Sequence, residues 1–271
     1  MARFETQRIE SPNFIACCSS PGCDAHFHPS IEVMYLERGN YCAEIDNKKY
    51  SFSQGDILVA LPFQLHGFYQ TDYTNKEVIL VIDESFFPEY EDRFNNFSFV
   101  NPVLSKDQIP KELVDLIYMA ASATINSKDN DGRLLYRFLC GAVLWHLFRL
   151  MPMESNRKGN IGHIQKIVKY IYENYDNEAL SLEKIAAHFG YNKTYLSSII
   201  NKTFHRNFKS VLNMLRLNEA KKQLAYSDEN VSEIAFRCGF NSIRTFNSAF
   251  YHLEKLSPTA YRKAQRQAGR K

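Results

Sequence analysis

The chain has 271 residues, of which 45% are hydrophobic and 23% charged, and this length allows two domains with a core each. No apolar run reaches the length of a membrane helix and no apolar segment follows Arg3, so we expect neither a membrane span nor a signal peptide. Residues 156–271 carry 20 Lys and Arg against 9 Asp and Glu, a net charge of +11, whereas residues 1–155 carry −8. This division favours a C-terminal part that meets a polyanion, although a merely solvated basic surface has the same charge.

The six cysteines, at positions 17, 18, 23, 42, 140 and 238, follow no paired framework. Cys17, Cys18 and Cys23 lie close together, but no pair of CxxC motifs completes a zinc site. The pattern therefore predicts reduced thiols and a cytoplasmic protein.

The first hundred residues have the pattern of short strands separated by turns such as Arg38-Gly39-Asn40 and Gln54-Gly55-Asp56. The predicted strands are Glu32–Leu36, Tyr41–Ile45, Lys49–Phe52, Ile57–Ala60 and Glu77–Ile82. Many short strands at this spacing predict an all-β sandwich or barrel.

Two helices are predicted next, over residues 110–127 and 133–150, because apolar residues recur there at helical spacing. The second is apolar over much of its circumference, so more than one of its faces must be covered. Its own chain or a second subunit can provide that cover. We expect a homodimer formed through these two helices.

Residues 152–160 are polar and lose the helical period, whereas the chain reads as helical from Ile161 onward. The predicted organisation is therefore a β domain with two trailing helices over 1–151, a linker over 152–160, and an all-α domain over 161–271.

The all-α domain contains a repeat. Leu182-Glu-Lys-Ile-Ala-Ala-His-Phe-Gly-Tyr191 is echoed by Val231-Ser-Glu-Ile-Ala-Phe-Arg-Cys-Gly-Phe240, and a helix cap precedes each copy, at Ser181 and Asn230. The small alanine allows a second helix to cross closely, and the glycine permits a turn with positive φ. Both copies therefore have the sequence pattern of a helix-turn-helix.

A second helix follows each turn, with Asn192 and Ser242 as expected caps. Leu196 and Ile200 of the first copy match Phe246 and Phe250 of the second, one residue later in register, so the second turn is one residue longer. An amphipathic segment over 208–224 joins the copies and is predicted to be a rigid helix.

These features make residues 161–262 similar to the AraC/XylS family of transcription regulators. The resemblance is strongest over 234–250, and the ending Ser257-Pro258-Thr-Ala-Tyr-Arg262 is specific to that family. The chain departs from the family at His205 and Lys255, where glycine is usual and a left-handed helix end is expected, and at Ser198 and Ser248, where arginine is common.

The resemblance implies that the second helix of each copy enters the major groove of double-stranded promoter DNA, at half-sites about 10 bp apart. The residues expected to face bases are Lys193, Thr194, Ser197, Ser198, Ile243, Arg244, Asn247 and Ser248. The residues expected to contact phosphates are Lys202, Lys209, Lys221, Lys222, Arg262 and Lys263.

The β domain resembles cupins. It contains His26-Phe-His28-Pro-Ser-Ile-Glu32 with Gly39 after it, and Gly55-Asp56 followed by Pro62 and His66, although the spacing before Pro62 departs from the motif. Enzymatic cupins bind a divalent metal with such residues, whereas regulators of this family use the domain as a metal-free sensor. We expect His26, His28, Glu32 and His66 to line the pocket of a small-molecule effector without a cofactor, with a metal site as the alternative.

The sequence thus predicts a regulator rather than an enzyme, an effector-responsive activator of genes for carbohydrate or other small-molecule metabolism, with a sugar as one candidate effector. RNA polymerase is a partner if it activates. A cupin metalloenzyme with an accessory helical domain and a regulator without ligand remain as alternatives. A DNA-repair methyltransferase needs a four-cysteine metal cluster that these cysteines do not supply.

Overall fold

The structure is a computed structural model that describes residues 3–4, 23–70, 75–126, 130–155 and 160–268. The chain divides into two compact units, Met1–Lys166 and Ile167–Lys271, called here the N-terminal unit and the C-terminal unit. Cys17 and Cys18 lie outside the described residues. None of the helices in the described ranges combines the length and the apolar character needed to cross a bilayer.

The N-terminal unit is built mainly of antiparallel strands. They are β1 (Arg3–Phe4), β2 (Cys23–Phe27), β3 (Ser30–Arg38), β4 (Asn40–Ile45), β5 (Lys48–Ser53), β6 (Ile57–Ala60), β7 (His66–Gln70), β8 (Lys76–Asp83), β9 (Phe97–Phe99), β10 (Val103–Leu104) and β11 (Met153–Ser155). One sheet has the order β1-β2-β7-β4-β5, another has the order β10-β6-β3-β8, and β9 pairs with β11. The five strands predicted from the sequence are confirmed.

The helices of this unit are α1 (Glu91–Asn96), α2 (Lys111–Asn126) and α3 (Asn130–Leu150), so both predicted helices are also confirmed. The β3 sheet is the middle layer, because alternate residues of a strand point to opposite faces. Ile31 and Val33 pack towards α2 and α3, whereas Met34 and Leu36 pack against the β4 sheet. The described strands form two facing sheets, one of the two arrangements that the strand pattern allowed, whereas the resemblance to cupins implied a closed cupin-like barrel.

The start of the predicted linker is structured. Met153 pairs with Phe99 and Ser155 with Phe97, so β11 belongs to the N-terminal unit. Helical structure resumes at Asn160.

The C-terminal unit is helical. Its helices are α4 (Asn160–Glu173, which begins in the N-terminal unit), α5 (Leu182–Phe189), α6 (Lys193–Phe204), α7 (Phe208–Tyr226), α8 (Val231–Arg237), α9 (Ile243–Glu254) and α10 (Pro258–Ala268). The four predicted caps are confirmed: Ser181, Asn192, Asn230 and Ser242 each accept a hydrogen bond from a backbone N–H in the first turn that follows. We call α5 with α6 the first helix-turn-helix unit, and α8 with α9 the second.

Candidate DNA-binding surface and buried histidine cluster

The two helix-turn-helix units have equivalent interiors. Ile185 and Ala186 are buried in α5, as Ile234 and Ala235 are in α8. Leu196 and Ile200 are buried in α6, and Phe246 and Phe250 take their places in α9. The bulkier second pair packs around Phe240 and Tyr261, with ring centroids 5.2–5.6 Å apart. Each second helix is thereby fixed on the first by its apolar face, which leaves its opposite face to solvent.

The turn of each unit depends on a glycine with positive φ, +70° at Gly190 and +84° at Gly239. The residue after each glycine closes the first helix: Tyr191 N donates to Ala186 O at 2.7 Å, and Phe240 N to Ala235 O at 3.1 Å. This left-handed arrangement is a common helix ending, and it turns the chain sharply into the second helix. The prediction of positive φ at both glycines is confirmed.

The outer faces of α6 and α9 carry most of the residues predicted to face bases. Thr194 and Ser198 on α6, and Arg244 and Ser248 on α9, are exposed on the side opposite the buried residues. Lys193 and Asn247 are also exposed, whereas Ser197 and Ile243 are half-buried at the edges of their helices.

The exposed stripe of α9 continues past the predicted residues. His252 follows Arg244 and Ser248 at the same spacing of four, and Tyr251 beside it is 62% exposed. Asn201 and Lys202 hold the equivalent positions on α6. Helical spacing alone places Tyr251 and His252 on the outer face, one turn beyond the residues predicted to face bases.

A cluster of three histidines and one glutamate lies in the N-terminal unit. His26 faces His66 across the β2–β7 ladder, His28 lies in the connection between β2 and β3, and Glu32 lies on β3 of the other sheet. All four are completely buried, and one nitrogen or oxygen of each lies within 4.8 Å of the others. Two separate sequence motifs are thus brought together between the sheets.

Hydrogen bonds fix the proton on two of these rings. His66 Nδ1 lies 2.8 Å from Gln64 O. A carbonyl only accepts, so Nδ1 carries the proton and a neutral His66 has its lone pair on Nε2, 3.7 Å from Glu32 Oε2. In His28, Nδ1 accepts from Ser30 N at 3.3 Å, and Nε2 donates to Glu32 Oε2 at 3.1 Å. Two acceptors, His66 Nε2 and Glu32 Oε2, therefore face each other away from water.

Gln64 is itself held in place. Its side-chain oxygen accepts from Leu61 N at 3.0 Å, and its amide nitrogen donates to Asp46 Oδ2 at 2.8 Å. Burial raises the pKa of Asp46 to about 6, and the hydrogen bond from Gln64 opposes that rise. This chain of contacts fixes the loop whose carbonyl orients the His66 ring.

Comparison with known proteins agrees with the helical repeat. A family model described as a helix-turn-helix domain matches residues 185–264, which include most of both units. The melibiose operon regulatory protein of Escherichia coli (strain K12) is 23% identical over 260 residues, which cover 90% of this chain and 84% of that protein.

By these likenesses the chain is a DNA-binding transcription regulator with a helix-turn-helix domain, and it resembles the AraC/XylS family. An uncharacterized HTH-type transcriptional regulator of Staphylococcus aureus (strain MSSA476) is 27% identical over 148 residues, which cover 53% of this chain and 20% of that protein. A crystal structure of ToxT from Vibrio cholerae O395, bound to (E)-4-(8-methylnaphthalen-1-yl)but-3-enoic acid, has a TM-score of 0.50, 13% identity, and coverage of 98% of this chain and 96% of that one. The similarity to ToxT is a similarity of fold.

The six residues predicted to contact phosphates have different surroundings. Lys202, Lys209 and Lys263 are exposed and have no ion pair among the described residues. Lys221 pairs with Glu254 at 2.8 Å, and Lys222 lies 3.7 Å from Glu219. Lys221 and Lys222 can contact a phosphate only if their contacts with Glu254 and Glu219 break.

Arg262 has a structural role that the sequence did not reveal. Its guanidinium donates to Leu224 O at 3.3 Å and to Glu229 O at 2.7 Å, so it joins α10 to the end of α7 and to the segment between α7 and α8. These bonds occupy the side chain that was predicted to contact a phosphate. The partners lie 33 and 38 residues away in the sequence, which is why no local pattern indicated them.

The histidine cluster of the regulator fits a divalent metal ion by its chemistry. Three imidazoles and a carboxylate are ligands that suit zinc, iron, copper or nickel. A cation between His66 Nε2 and Glu32 Oε2 would replace the repulsion of two acceptors with attraction to both, and Gln64 O already supplies the outer hydrogen bond typical of a ligating histidine.

Proposed function

We propose that this regulator responds to an effector and activates transcription by binding promoter DNA through both helix-turn-helix units at once. The observation that carries the proposal is that the two units bury equivalent positions but have different exposed polar faces on α6 and α9. A continuous helix of 19 residues, α7, joins them within one compact unit. A fixed pair of second helices suits two successive major grooves on one face of the DNA.

The exposed residues suggest how each helix reads its groove. Arg244 can donate to guanine O6 and N7 together, Asn247 can pair with adenine, and Ile243 can contact a thymine methyl group. On α6, Lys193, Thr194, Ser197 and Ser198 offer shorter polar contacts, so we propose that the second unit contributes more to sequence preference. Lys202, Lys209 and Lys263 are the strongest candidates for phosphate contacts, because they are exposed cations without a carboxylate partner among the described residues.

Selection of binding sequences from random DNA by the full-length protein tests this proposal. We expect two short sequence elements about 10 bp apart, centre to centre. Inserting about 5 bp between them turns one half-site to the other side of the helix and should abolish tight binding. Selection of a single element, or unchanged binding after the insertion, would contradict binding by both units.

The N-terminal unit, in this proposal, is the cupin-like sensor. A sugar is one candidate effector, and support comes from the E. coli relative, whose name refers to a melibiose operon. For control, the effector must bind two arrangements of the protein with different affinity, because equal affinity shifts no equilibrium.

A second candidate function for the same unit is binding of a divalent metal ion by His26, His28, Glu32 and His66. The clustering of four completely buried polar side chains favours it, since one nitrogen or oxygen of each lies within 4.8 Å of the others and a shared cation would stabilise all four. Such an ion, when bound, supplies a Lewis acid that an anionic or hydroxylated effector can approach. Binding requires His28 Nε2 to lose its proton and Nδ1 to give up the long contact from Ser30 N.

Equilibrium dialysis of the full chain against Zn²⁺ or Co²⁺ tests the metal site. We expect one ion per chain and, for Co²⁺, visible absorption bands of a site with nitrogen and oxygen ligands. His66→Ala should weaken binding by at least about tenfold, whereas His205→Ala, which removes an exposed histidine, should leave it unchanged. Equal retention of metal by both variants would disprove the site without affecting the DNA-binding proposal.

We further propose that the protein is a homodimer formed through α2 and α3. Leu134, Phe138 and Trp145 lie along one side of α3 at helical spacing and are 49%, 66% and 50% exposed. Met119 on α2 adds another exposed apolar side chain. An apolar line of this kind resembles the seam of paired helices, and a second copy is the partner that supplies an identical line.

Sedimentation of the full-length protein tests the dimer. We expect a dimer at tens of micromolar for the wild type and a monomer for Phe138→Glu, which places a charge in the seam. Tyr226→Glu, which changes a 79% exposed aromatic side chain on α7 of the other unit, is the matched control. A monomeric wild type would contradict this proposal.

The remaining parts of the proposal follow from DNA binding. The protein acts in the cytoplasm, where the bacterial promoters of its relatives lie, and RNA polymerase is its partner if it activates. We propose no enzymatic activity, since the relatives are named as regulators.

A further inference from the structure

A cleft of about 470 Å³ lies within the C-terminal unit, between α9 and the first half of α7. Two helical stripes form its walls. Arg244, Ser248 and His252 of α9 line one side, and Lys209 and Asn213 of α7, with Arg206 just before that helix, line the other.

The walls of this cleft carry positive charge only. Arg206, Lys209 and Arg244 are cations at neutral pH, and none of the twelve lining residues is an aspartate or a glutamate. Glu254, an acidic residue near the end of α9, is instead paired with Lys221 at 2.8 Å. An anion in the cleft would therefore meet cations from both helices without an opposing carboxylate in the wall.

The cleft opens on the face proposed to read DNA. Arg244, Ser248 and His252 are the outermost stripe of α9, which lies opposite the buried Phe246 and Phe250. A helix in the major groove, about 12 Å wide, has a sugar-phosphate strand along each side. The side chains beside the outer stripe of α9 are then in the position to meet one of these strands, and here they come from α7.

We propose that this cleft binds phosphate of the DNA strand that borders the second half-site, through Arg206 and Lys209. The proposal rests on the proposed function and deepens it: it adds Arg206 to Lys209 and assigns both to the strand beside the second half-site, so that the start of α7 contacts DNA as well as joining the two units. Arg244 then has cationic neighbours in the wall, and the strand that they hold fixes how far α9 enters the groove.

Binding of the full-length protein to a random-sequence 40-bp duplex, measured over a range of salt concentrations, tests the proposal. Phosphate contacts are independent of sequence, so no operator needs to be known. Lys209→Gln should weaken binding by roughly threefold to tenfold. It should also reduce the magnitude of the salt slope, the change in the logarithm of the binding constant with the logarithm of the salt concentration, by about 0.9, the value for one phosphate contact. Arg206→Gln should do the same, and Arg206→Lys should keep most of the affinity.

The matched control is Lys49→Gln, which removes one exposed lysine from β5 of the N-terminal unit and changes the net charge equally. It should leave the salt slope unchanged. If Lys209→Gln and Arg206→Gln both behave like Lys49→Gln, the cleft does not hold a DNA strand and the inference is wrong.

A free phosphorylated molecule has the same recognition chemistry as the strand, so a second measurement separates the two sources. Titration with inorganic pyrophosphate should show only millimolar binding if the cleft is shaped for DNA. Micromolar binding that Arg206→Gln removes, with no change in the DNA salt slope, would overturn the inference in favour of a small-anion site. If the wild type instead fails to select two half-sites, the proposed function fails, whereas the salt slopes on random DNA still decide the cleft.

Discussion

The two helix-turn-helix units have matching sequence patterns but different surroundings at their turns. A Cβ added at Gly190 would meet nothing within 4 Å, whereas one added at Gly239 would lie 2.7 Å from Asp176 O and 2.9 Å from Arg216 Nε. Both glycines have positive φ. Gly190 is therefore needed for its backbone conformation alone, whereas Gly239 is needed both for its conformation and because it lacks a side chain.

The crowding at the second turn has an identifiable source. Arg216 of α7 donates from Nε to Tyr175 O at 2.7 Å and from its terminal nitrogen to Asn177 O at 2.9 Å. Its guanidinium also lies 5.7 Å from the ring centre of Phe240. The buried arginine therefore ties the segment after α4 to the second turn, and Gly239 leaves the space for it.

The outer faces differ as well. Lys193, at the start of α6, forms an ion pair with Glu183 of the same unit. Arg244, near the start of α9, has no ion pair in the described part of the chain. At the start of the second helix, the second unit thus offers Arg244 to DNA without an ion pair among the described residues, whereas Lys193 of the first unit is already shared with a carboxylate.

The largest expected effect is at the turns. Gly190→Ala should cost about 1–2 kcal/mol because alanine disfavours the left-handed conformation, and Gly239→Ala should cost about 1–3 kcal/mol more because its Cβ overlaps backbone atoms. Native-state hydrogen exchange of the full chain measures both losses. Equal losses would show that the crowding at Gly239 relaxes without cost.

The second largest effect is expected on recognition of the DNA sequence. Arg244→Ala should weaken binding to a selected site by about 1–3 kcal/mol and relax preference at one base pair. Thr194→Ala, the matched change on the outer face of α6, should cost less because a hydroxyl makes a single weaker contact. Fluorescence anisotropy on the selected site and on single-base variants gives both values, and a larger loss for Thr194→Ala would reverse the proposed ranking of the units.

A smaller effect is expected at the ends of α6 and α9. His205 and Lys255 have φ of +50° and +58°, as the departure from the family's glycines predicted. Glycine should stabilise each end by about 0.5–1 kcal/mol. The gain should be smaller at Lys255, whose Nζ donates to His252 O at 3.0 Å. Thermal unfolding of His205→Gly and Lys255→Gly tests this, and a lower melting temperature for both would show that the native side chains stabilise these turns.

The smallest effect on DNA binding is expected at Lys193 of α6, which is paired with Glu183. The Lys193 hydrogen bond holds the pKa of Glu183 at about 2, so the carboxylate is ionised under all binding conditions and competes with DNA for the lysine. Glu183→Gln should therefore raise DNA affinity about twofold and steepen the salt slope, because one more cation becomes available. The control is Glu233→Gln in α8, an exposed acid without an ion pair among the described residues. Equal gains from both variants would mean that net charge alone is responsible.

The sequence alone determined the features that depend on neighbours along the chain. The caps at Ser181, Asn192, Asn230 and Ser242, the positive φ of Gly190 and Gly239, and the five strands follow from short-range rules, because a cap or a turn needs only the few residues beside it. The residues of α6 and α9 that face outward follow from helical period in the same way.

Only the tertiary structure decided which distant groups meet. It set the distance of 3.7 Å between His66 Nε2 and Glu32 Oε2, which the resemblance to cupins had placed in one pocket, bonded Arg262 to two backbone carbonyls, and gave Gly190 and Gly239 different surroundings. It also decided between the sandwich and the barrel that the strand pattern allowed, since the described strands form separate sheets. The physical reason is that these outcomes depend on how elements pack, and the partners are tens of residues apart, so the local pattern that specifies each element contains no information about its neighbour in space.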